Sequence, residues 1–328
     1  MKIINCSGNT FFSCNGYSIF MQDNNNHVSQ SLCKIVDKKY SILSHFFITR
    51  RLCRAEITGF YILTNNVKLV LAKNGIFRQS CDDDDFHKVF DSFRGSKPLN
   101  LCVLPNNHIF FGEYFQNIKR DEVHVYSSVD SGLTWNKVYS FSQGNINHIH
   151  GIFYDKYIDR LWIVTGDMDD ECIIGYSDDE FKTFHVAFRG GQEYRSCQLF
   201  FYKDFIVYAT DSPYIENEIK LICRKTMNVR SVAKIQGSVI KGGQTGNIAY
   251  VSTAIEPSSV NKDNFAHIWL TNNGIDWKEV YKAKKDYLPF IFQFGTFEFP
   301  INAYNQGRLW FSGRALKGHD NKSFSINV

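Results

Sequence analysis

Short runs of alternating apolar and polar residues, bounded by turn residues, make up most of this chain. Four such runs follow one another in its middle: HIHGIFYD (148–155), RLWIVTGD (160–167), CIIGYSDD (172–179) and FHVAF (184–188). Similar groups of four precede them between 99 and 141 and follow them between 196 and 235 and between 238 and 283. The runs are rich in β-branched and aromatic residues, and long helix-period segments do not occur. The pattern therefore predicts an all-β protein.

A short polar motif follows the third run of a group. Its complete copy is SSVDSGLTW, in which Ser128, Asp130, Gly132, Thr134 and Trp135 spell Ser-x-Asp-x-Gly-x-Thr-Trp. The aspartate can accept hydrogen bonds from backbone N–H groups of a turn, and the glycine can supply a positive φ. The aromatic residue is placed to insert between neighbouring sheets. A structural role is therefore expected for the motif aspartates.

Partial copies of the motif recur at a regular spacing. The aspartate positions are Asp82, Asp130, Asp179 and Asn272, which lie 48, 49 and 93 residues apart, the last gap being close to two repeats. The missing copy would fall near position 226, where LICRKTMNVRSVAKI has strand–turn–strand character. A repeated unit of four strands and about 48 residues is typical of a propeller blade.

With these residues the motif resembles the Asp-box, also called the bacterial neuraminidase repeat, of sialidase-like β-propeller proteins. The boxes extend over roughly 70–285. The resemblance implies that residues 1–328 form a single β-propeller domain of four-stranded blades, six or seven in number, with seven favoured. The terminal segments MKIINC and RLWFSGRAL…KSFSINV would supply strands to a closing blade. An authentic sialidase is not expected, because IFRQ (76–79), the string nearest to the family's Phe/Tyr-Arg-Ile-Pro motif, lacks the proline.

Charge and cysteine usage exclude several classes of function. The net charge of +4 is spread along the chain without a basic block, so nucleic acid is not an expected partner. No apolar run reaches membrane-spanning length, and the N-terminus lacks a signal-peptide pattern. The nine cysteines include no Cys-x-x-Cys pair, which argues against a zinc site of that type. Scattered thiols favour a cytoplasmic location.

Carboxylates end the second run of four successive groups. They are Glu113, Asp167, Asp211 and Glu256, and the fold should gather them around one rim of the propeller. Acids at strand ends are also common as turn formers, particularly Asp211 before Ser-Pro. Four of them at equivalent positions favour a shared catalytic role.

Imidazoles and cations begin the first runs, on the same predicted rim. His148 and His150 share one side of a strand because side chains alternate. Arg195 and Lys241 lie at the starts of later first runs, and the string RRLCRAE predicts that Arg54 lies at the start of an earlier one. Arg54, Arg195, Lys241 and the neighbouring Tyr114 are candidate substrate-binding residues. Arginine suits an acidic sugar because its planar fork binds carboxylate bidentately.

The His-x-His pair raises the question of a metal. His148 and His150, with Asp167 or Glu113, could bind a divalent cation. The sequence does not fix the third ligand, and a plain hydrogen-bonding role for at least one histidine remains open. The cofactor prediction is accordingly no cofactor or a divalent metal.

These features predict a carbohydrate-active enzyme that acts on an acidic glycan or activated sugar as a hydrolase, lyase or glycosyl transferase. The predicted catalytic residues are His148, His150, Asp167, Glu113, Asp211 and Glu256. An Asn-, Lys- and Ile-rich composition suggests bacterial surface-polysaccharide metabolism, with a sugar nucleotide or lipid-linked oligosaccharide as the partner in the cytoplasm. The alternative is a non-catalytic propeller that binds a glycan or a protein. The sequence leaves the oligomeric state open.

Overall fold

Nearly all of the regular structure in this protein is antiparallel β-sheet. The computed structural model describes residues 1–23, 29–35, 37–95 and 97–328. Within these residues, 28 strands form six sheets, of which five have four strands each. The predicted all-β class and the four-stranded units are therefore confirmed.

The five four-stranded sheets each use consecutive strands. The first contains β1 Lys2–Ser7, β2 Thr10–Asn15, β3 Ser18–Asp23 and β4 Ser29–Lys34. The second contains β5 Ile57–Ile62, β6 Lys68–Ala72, β7 Gly75–Gln79 and β8 His87–Phe90. The third contains β9 Cys102–Val103, β10 Ile109–Gly112, β11 Val123–Ser128 and β12 Asn136–Phe141. The fourth contains β13 His148–Asp155, β14 Arg160–Gly166, β15 Ile173–Ser177 and β16 His185–Arg189. The fifth contains β17 Ser196–Phe201, β18 Phe205–Thr210, β19 Glu218–Cys223 and β20 Val229–Lys234.

The sixth sheet has eight strands and joins two groups. One group contains β21 Val239–Thr245, β22 Ile248–Ile255, β23 Phe265–Thr271 and β24 Lys278–Lys284. The other contains β25 Gly295–Glu298, β26 Tyr304–Asn305, β27 Arg308–Arg314 and β28 Ser323–Asn327. The two groups join where β22 pairs with β25 at Ala254 and Thr296. The blade number stays a prediction.

The chain ends do not share a sheet, which corrects one prediction. β1 pairs with β2, whereas β27 and β28 pair with each other. The two ends are nevertheless neighbours, because Asn5 and Ile301 form an isolated parallel bridge and the Ile3 backbone N–H donates to the Ser323 hydroxyl. Each terminal segment finds its hydrogen-bond partners in an adjacent hairpin, so no shared blade is needed.

The first strands of successive groups carry a repeated irregularity. In five of them the pairing register shifts by one residue near the strand start, at Ile4, Thr58, His150, Cys197 and Ile240. First strands also contact one another, as β13 does β17 and β17 does β21. A bulge re-aims the side chain of the extra residue and is common beside active sites. Equivalent residues of neighbouring groups are thus turned towards one another.

Two short helices interrupt the β pattern between the first and second sheets. They are α1 Lys38–His45 and α2 Phe47–Cys53. The string RRLCRAE therefore does not begin a strand as predicted: Arg54 follows α2 with φ 53°, and β5 starts only at Ile57. Three 3-10 turns lie at Asp169–Glu171, Gln192–Tyr194 and Phe290–Phe292. No helix within the described part of the chain has the length and apolar character needed to span a membrane.

The motif aspartates have the expected local role. The Asp130 carboxylate accepts from the Leu133 and Thr134 backbone N–H groups and from the Thr134 hydroxyl. Asp179 accepts equivalent bonds from Thr183. Such bonds tie the β11–β12 and β15–β16 turns closed.

Two aspartate positions of the repeat were wrong by one residue. In the last copy Asn273, not Asn272, accepts from the Ile275 and Asp276 N–H groups, because this turn is one residue shorter before Gly274. In the first copy the Ser80 hydroxyl donates to Asp83 rather than to Asp82. The motif aromatics do pack between sheets, as Trp135 does against Phe90 of β8 in the second sheet, with ring centroids 6.2 Å apart.

Candidate functional site

Two buried histidines meet at the start of β13. His148 and His150 are 6% and 2% exposed, and their Nε2 atoms lie 3.0 Å apart. The Nδ1 atom of His148 lies 2.9 Å from the Phe115 carbonyl oxygen, and that of His150 lies 2.9 Å from the Ser196 carbonyl oxygen. The predicted convergence of the pair is therefore confirmed, with His150 at the bulge.

The backbone contacts determine how the two rings are protonated. A carbonyl oxygen can only accept, so each Nδ1 carries a proton and each neutral ring has its lone pair on Nε2. Two lone pairs that face each other at 3.0 Å repel unless a proton or a cation lies between them. Burial, with His150 nearby, lowers the pKa of His148 to about 4, so a shared proton is disfavoured at neutral pH. The pair is thus preorganised for a cation.

Asp167 supplies a carboxylate to the same point. Its oxygens lie 3.6 Å from His148 Nε2 and 3.5 Å from His150 Nε2. Asn147 donates to Asp167 at 2.6 Å, and Arg195 pairs with it at 3.0 Å. Burial alone would raise the pKa of Asp167, but its polar contacts with the two histidines and the charge of Arg195 lower it below its usual range. The carboxylate is therefore ionised at neutral pH.

His148, His150 and Asp167 fit the requirements of a divalent metal. Their donor atoms all lie within 4.8 Å of one another. Two nitrogen ligands at about 2.0–2.1 Å from one ion stand roughly 3 Å apart, which agrees with the Nε2 separation. Imidazole and carboxylate together suit zinc or a similar transition metal.

A second acid lies behind this cluster. Asp211 is 5% exposed, accepts from the Cys197 thiol at 3.3 Å and lies 3.7 Å from Arg195 Nε. Burial raises the pKa of Asp211, and burial with Asp211 nearby raises that of Cys197. Both groups are therefore harder to ionise than in water, and Arg195 contacts Asp167 and Asp211 together. His150, Cys197 and Asp211 also form a metal-sized group, but a protonated thiol is a poor ligand.

Tyr114 connects the cluster to an open cavity. Its ring lies over His148 with centroids 4.3 Å apart, and it also lines a cavity of about 210 Å³. The other walls come from the second, sixth and last strand groups and from the loops beside them. The polar and charged lining residues are Arg54, Glu56, Thr58, Lys97, Lys241, Glu256, Gln293, Thr296 and Arg314.

Two of the cavity's acids are already neutralised. Glu298 behind the wall pairs with Lys2 and Arg314, and Glu56 pairs with Arg314 at 3.0 Å and with Arg50 at 3.1 Å. These buried pairs offset the charges of Glu56 and Glu298, so neither acid is free to compensate another cation.

Three cations in the cavity have no such partner. Among the described residues, the charged groups of Arg54, Lys97 and Lys241 form no ion pair and no side-chain hydrogen bond. Burial, with Lys241 and Arg314 nearby, lowers the pKa of Lys97 to about 7. Burial likewise lowers the pKa of Lys241. A cavity that holds uncompensated positive charge is suited to an anion.

Glu256 lies on the cavity wall between the cations and the cluster. Burial, with Asp211 nearby, raises its pKa. The cavity thus contains a carboxyl group whose pKa is raised and a lysine whose pKa is lowered. Titratable groups whose environments push their pKa values in opposite directions are the usual mark of acid–base assignments.

Glu113 is a predicted site residue whose carboxylate is bound outside the cluster and the cavity. It follows β10 as expected and is buried, but its carboxylate pairs with Arg94 and accepts from the His124 backbone N–H at 2.8 Å. The other nine candidates divide between the cluster and the cavity. His148, His150, Asp167, Arg195 and Asp211 form the cluster, Arg54, Lys241 and Glu256 line the cavity, and Tyr114 belongs to both.

Sequence reasoning missed Lys97 and Cys197. Lys97 stands in the irregular segment before β9, where no strand pattern fixes its direction. Cys197 had a usable signal, because it occupies the bulge position of β17 that His150 occupies in β13. Matching first-strand positions between repeats would have placed it in the cluster.

No protein-family model matches this chain, and no curated protein matches it in sequence. Solved structures match it in fold. Oligogalacturonate lyase in complex with manganese aligns with a TM-score of 0.53 and 8% identity over 83% of this chain and 73% of that chain. The GH74 xyloglucanase from Xanthomonas campestris aligns with a TM-score of 0.54 and 12% identity over 82% of this chain and 45% of that chain. A prolyl endopeptidase aligns with a TM-score of 0.59 and 10% identity over 98% of this chain and 49% of that chain.

These neighbours support the predicted β-propeller fold. The chain spans about half the length of the xyloglucanase and endopeptidase chains that it matches. At 8–12% identity the likeness concerns the fold alone. Function must therefore be argued from the cavity and the cluster.

Proposed function

We propose that this protein is a carbohydrate-active enzyme that cleaves an acidic glycan by β-elimination. The observation that carries the proposal is the set of three unpaired cations, Arg54, Lys97 and Lys241, in a cavity beside the His148–His150–Asp167 cluster. A sugar carboxylate would supply the missing negative charge. The manganese-bound oligogalacturonate lyase among the structural neighbours adds support at the level of fold.

The cavity residues can be given roles in such a reaction. Arg54 and Lys241 would hold the uronate carboxylate, which makes the neighbouring carbon more acidic. Lys97 would remove the proton from that carbon, since its lowered pKa makes the neutral amine available near neutral pH. Glu256 would donate a proton to the leaving glycosidic oxygen as the C–O bond breaks and a C=C bond forms. Two new chain ends result, one of them unsaturated, with no oxidant or added water.

The histidine cluster would hold a divalent metal. His148, His150 and Asp167 are the ligands, and Asn147 and Arg195 orient the carboxylate. A bound metal would add positive charge against the substrate carboxylate. Tyr114, between the cluster and the cavity, would position the sugar ring.

The proposal is tested by incubating the protein with polygalacturonate, alginate and chondroitin sulfate, with and without added Mn²⁺. Unsaturated products are expected with at least one of them, seen by their ultraviolet absorbance and by mass spectrometry. Lys97→Met should lower kcat, and Arg54→Met should mainly raise KM. Lys234→Met, at a lysine whose side chain is 74% exposed, is the matched control.

Two results would replace this proposal. New reducing ends without a double bond would indicate a hydrolase, with Glu256 and an acid of the cluster as the catalytic pair. Binding of the polymers without any product would support the alternative, a non-catalytic glycan- or protein-binding propeller.

The wider assignment remains part of the proposal. We infer a sialidase-like, Asp-box propeller of seven blades in a single domain, since the β25–β28 group follows six earlier groups of strands. The proposed setting is bacterial surface-polysaccharide metabolism in the cytoplasm, where the acidic glycan would be met as a sugar nucleotide or a lipid-linked oligosaccharide. A genomic neighbourhood without polysaccharide genes would contradict that setting.

A further inference from the structure

The helical segment beside the cavity has its apolar side chains on the outside. Ile42, Phe46, Phe47, Ile48 and Leu52 are between 40% and 63% exposed. A surface helix of a protein in water normally shows the opposite arrangement, with apolar residues towards the core. Five large apolar side chains in one exposed segment therefore need a reason.

Polar residues occupy the inner side of the same segment. In α1 the buried positions include Ser41 and Ser44. In α2, Arg50 pairs with Glu56 and Asp320, and the fully buried Arg51 pairs with Asp286 and donates to the Phe292 carbonyl oxygen. These inward bonds fix which way α2 faces, so its apolar residues cannot turn inward without breaking buried ion pairs.

A second exposed apolar segment adjoins the first. Tyr287, Phe290 and Ile291 are 88%, 43% and 70% exposed. Gln293, which follows them, donates from its side chain to the Arg51 carbonyl oxygen at 3.0 Å, so this loop is attached to α2. The eight exposed residues of the two segments are called the apolar rim below.

A basic groove lies against the apolar rim. Its volume is about 460 Å³, and its lining includes Lys39, Arg54 and Lys73 together with Leu52 of the rim. These three cations have no ion-pair partner among the described residues. Burial, and after it the nearby charge of Arg54, lowers the pKa of Lys73. An anion in this groove would offset the positive charge of the three side chains.

We propose that the apolar rim and the basic groove dock this protein onto a membrane surface that contains anionic phospholipid. Large apolar and aromatic side chains insert at the boundary between headgroups and acyl chains, and adjacent lysines and arginines bind the phosphates. An acidic protein partner would need the cations but not eight outward-facing apolar side chains. This inference rests on the surface alone and not on the proposed reaction.

The location of the surface gives the docking a consequence. Arg54 lines both the basic groove and the 210 Å³ cavity, and Gln293 lies between the rim loop and that cavity. Docking would therefore place the cavity mouth next to the headgroups. A substrate attached to a lipid would reach the cavity without leaving the membrane.

Co-sedimentation with vesicles tests the proposal. The protein should bind vesicles of equal parts phosphatidylglycerol and phosphatidylcholine, bind pure phosphatidylcholine much more weakly, and lose affinity as salt is raised. The double variant Phe46→Ser/Ile48→Ser should bind at least about tenfold more weakly, because two apolar side chains no longer insert into the membrane. Lys39→Ala and Lys73→Ala should each cost about fivefold.

Leu133→Ser is the matched control. Leu133 is 53% exposed on the β11–β12 turn, at the end of the strands opposite to α2, and its loss should leave binding unchanged. Unaltered thermal unfolding of each variant excludes misfolding as the cause. Equal binding by the rim variant and the wild type would overturn the proposal, as would a failure to bind anionic vesicles. Binding to polyglutamate in preference to vesicles would overturn it in favour of an acidic protein partner.

Discussion

Arg51 offers the sharpest test of how the cavity wall is built. Its side chain is fully buried, pairs with Asp286, and donates through Nε and Nη2 to the Phe292 carbonyl oxygen. These bonds join α2 to the loop whose Gln293 and Phe294 line the cavity. Arg51→Met preserves most of the volume and removes every one of these bonds.

The expected cost follows from what is left unpaired. Removal of one partner of a buried ion pair typically costs about 3–5 kcal/mol. Asp286 still pairs with Lys285 at 2.5 Å in this variant. The expected loss in the free energy of unfolding is therefore near the lower end of that range, about 3 kcal/mol. Arg51→Lys keeps the charge but cannot donate twice to Phe292, so a loss of about 1.5 kcal/mol is expected.

Urea unfolding followed by tryptophan fluorescence and circular dichroism measures these losses. Lys234→Met is the control, since Lys234 and Glu216 form an exposed pair, 74% and 75% accessible, whose loss should cost about 0–1 kcal/mol. A loss for Arg51→Met below about 1 kcal/mol, equal to the control, would refute the reasoning.

The pH dependence gives an independent check on the Arg51 pair. Burial alone would raise the pKa of Asp286, but the hydrogen bonds from Arg51 and Lys285 lower it overall. A carboxyl group with a lowered folded-state pKa contributes stability above its unfolded pKa of about 3.9, and that contribution is lost as the pH falls through the folded pKa. The difference in stability between wild type and Arg51→Met should therefore shrink below about pH 4. A constant difference across this range would assign the effect to packing instead.

Three further predictions concern the turns, the cavity and the cluster. Asp130→Ala should lower stability by about 1–2 kcal/mol in urea unfolding, because four donors lose their acceptor, and should leave glycan cleavage unchanged. The kcat/KM for uronate cleavage should rise as the pH rises through about 7, because Lys97 must be neutral to accept the substrate proton; a pH profile of kcat/KM measures this, and a profile that stays flat through pH 7 would contradict the role of Lys97. Gly166→Ala should weaken Mn²⁺ binding, because the new Cβ would lie 2.6 Å from His150 Cε1 and displace the imidazole ring. Calorimetry measures the affinity, and an unchanged affinity would contradict a metal at this position.

Much of the strand arrangement could be predicted because it depends on local pattern. The run HIHGIFYD coincides with β13, and NKVYSF coincides with β12, since each is bounded by turn residues and carries β-branched or aromatic side chains. The short helices could not be predicted in the same way. α2 is held by Arg50 and Arg51, whose partners Asp286 and Asp320 lie more than 200 positions later in the chain. Its sequence, FITRRLC, has no apolar face directed at the core.

Site residues could be predicted where the position in the repeat determines the direction of the side chain. Asp167 and Asp211 follow the second strands of successive groups, and His150 lies at the bulge of a first strand; the bulge and the strand ends bring the three together. Glu113 occupies the same sequence position, but Arg94 offers its carboxylate a closer partner on another side. That choice depends on a side-chain contact across a loop, which no periodicity records. Lys97 was missed for the same reason.

The distribution of charge restricts the candidate substrates more than the fold does. The fold resembles both a manganese-bound oligogalacturonate lyase and a xyloglucanase, and the likeness does not distinguish them. The site, however, has two halves that differ in charge, the cluster and the cavity. The cluster places Asp167 beside two histidine lone pairs and suits a cation. The cavity holds Lys97 and Lys241 without acidic partners and suits an anion. A neutral glycan would leave the charges of Lys97 and Lys241 uncompensated, and keeping unpaired charges half-buried costs stability. A ligand that carries a carboxylate, bound together with a divalent metal, satisfies both halves at once. The charges therefore favour an acidic glycan over a neutral one, although the fold is compatible with both.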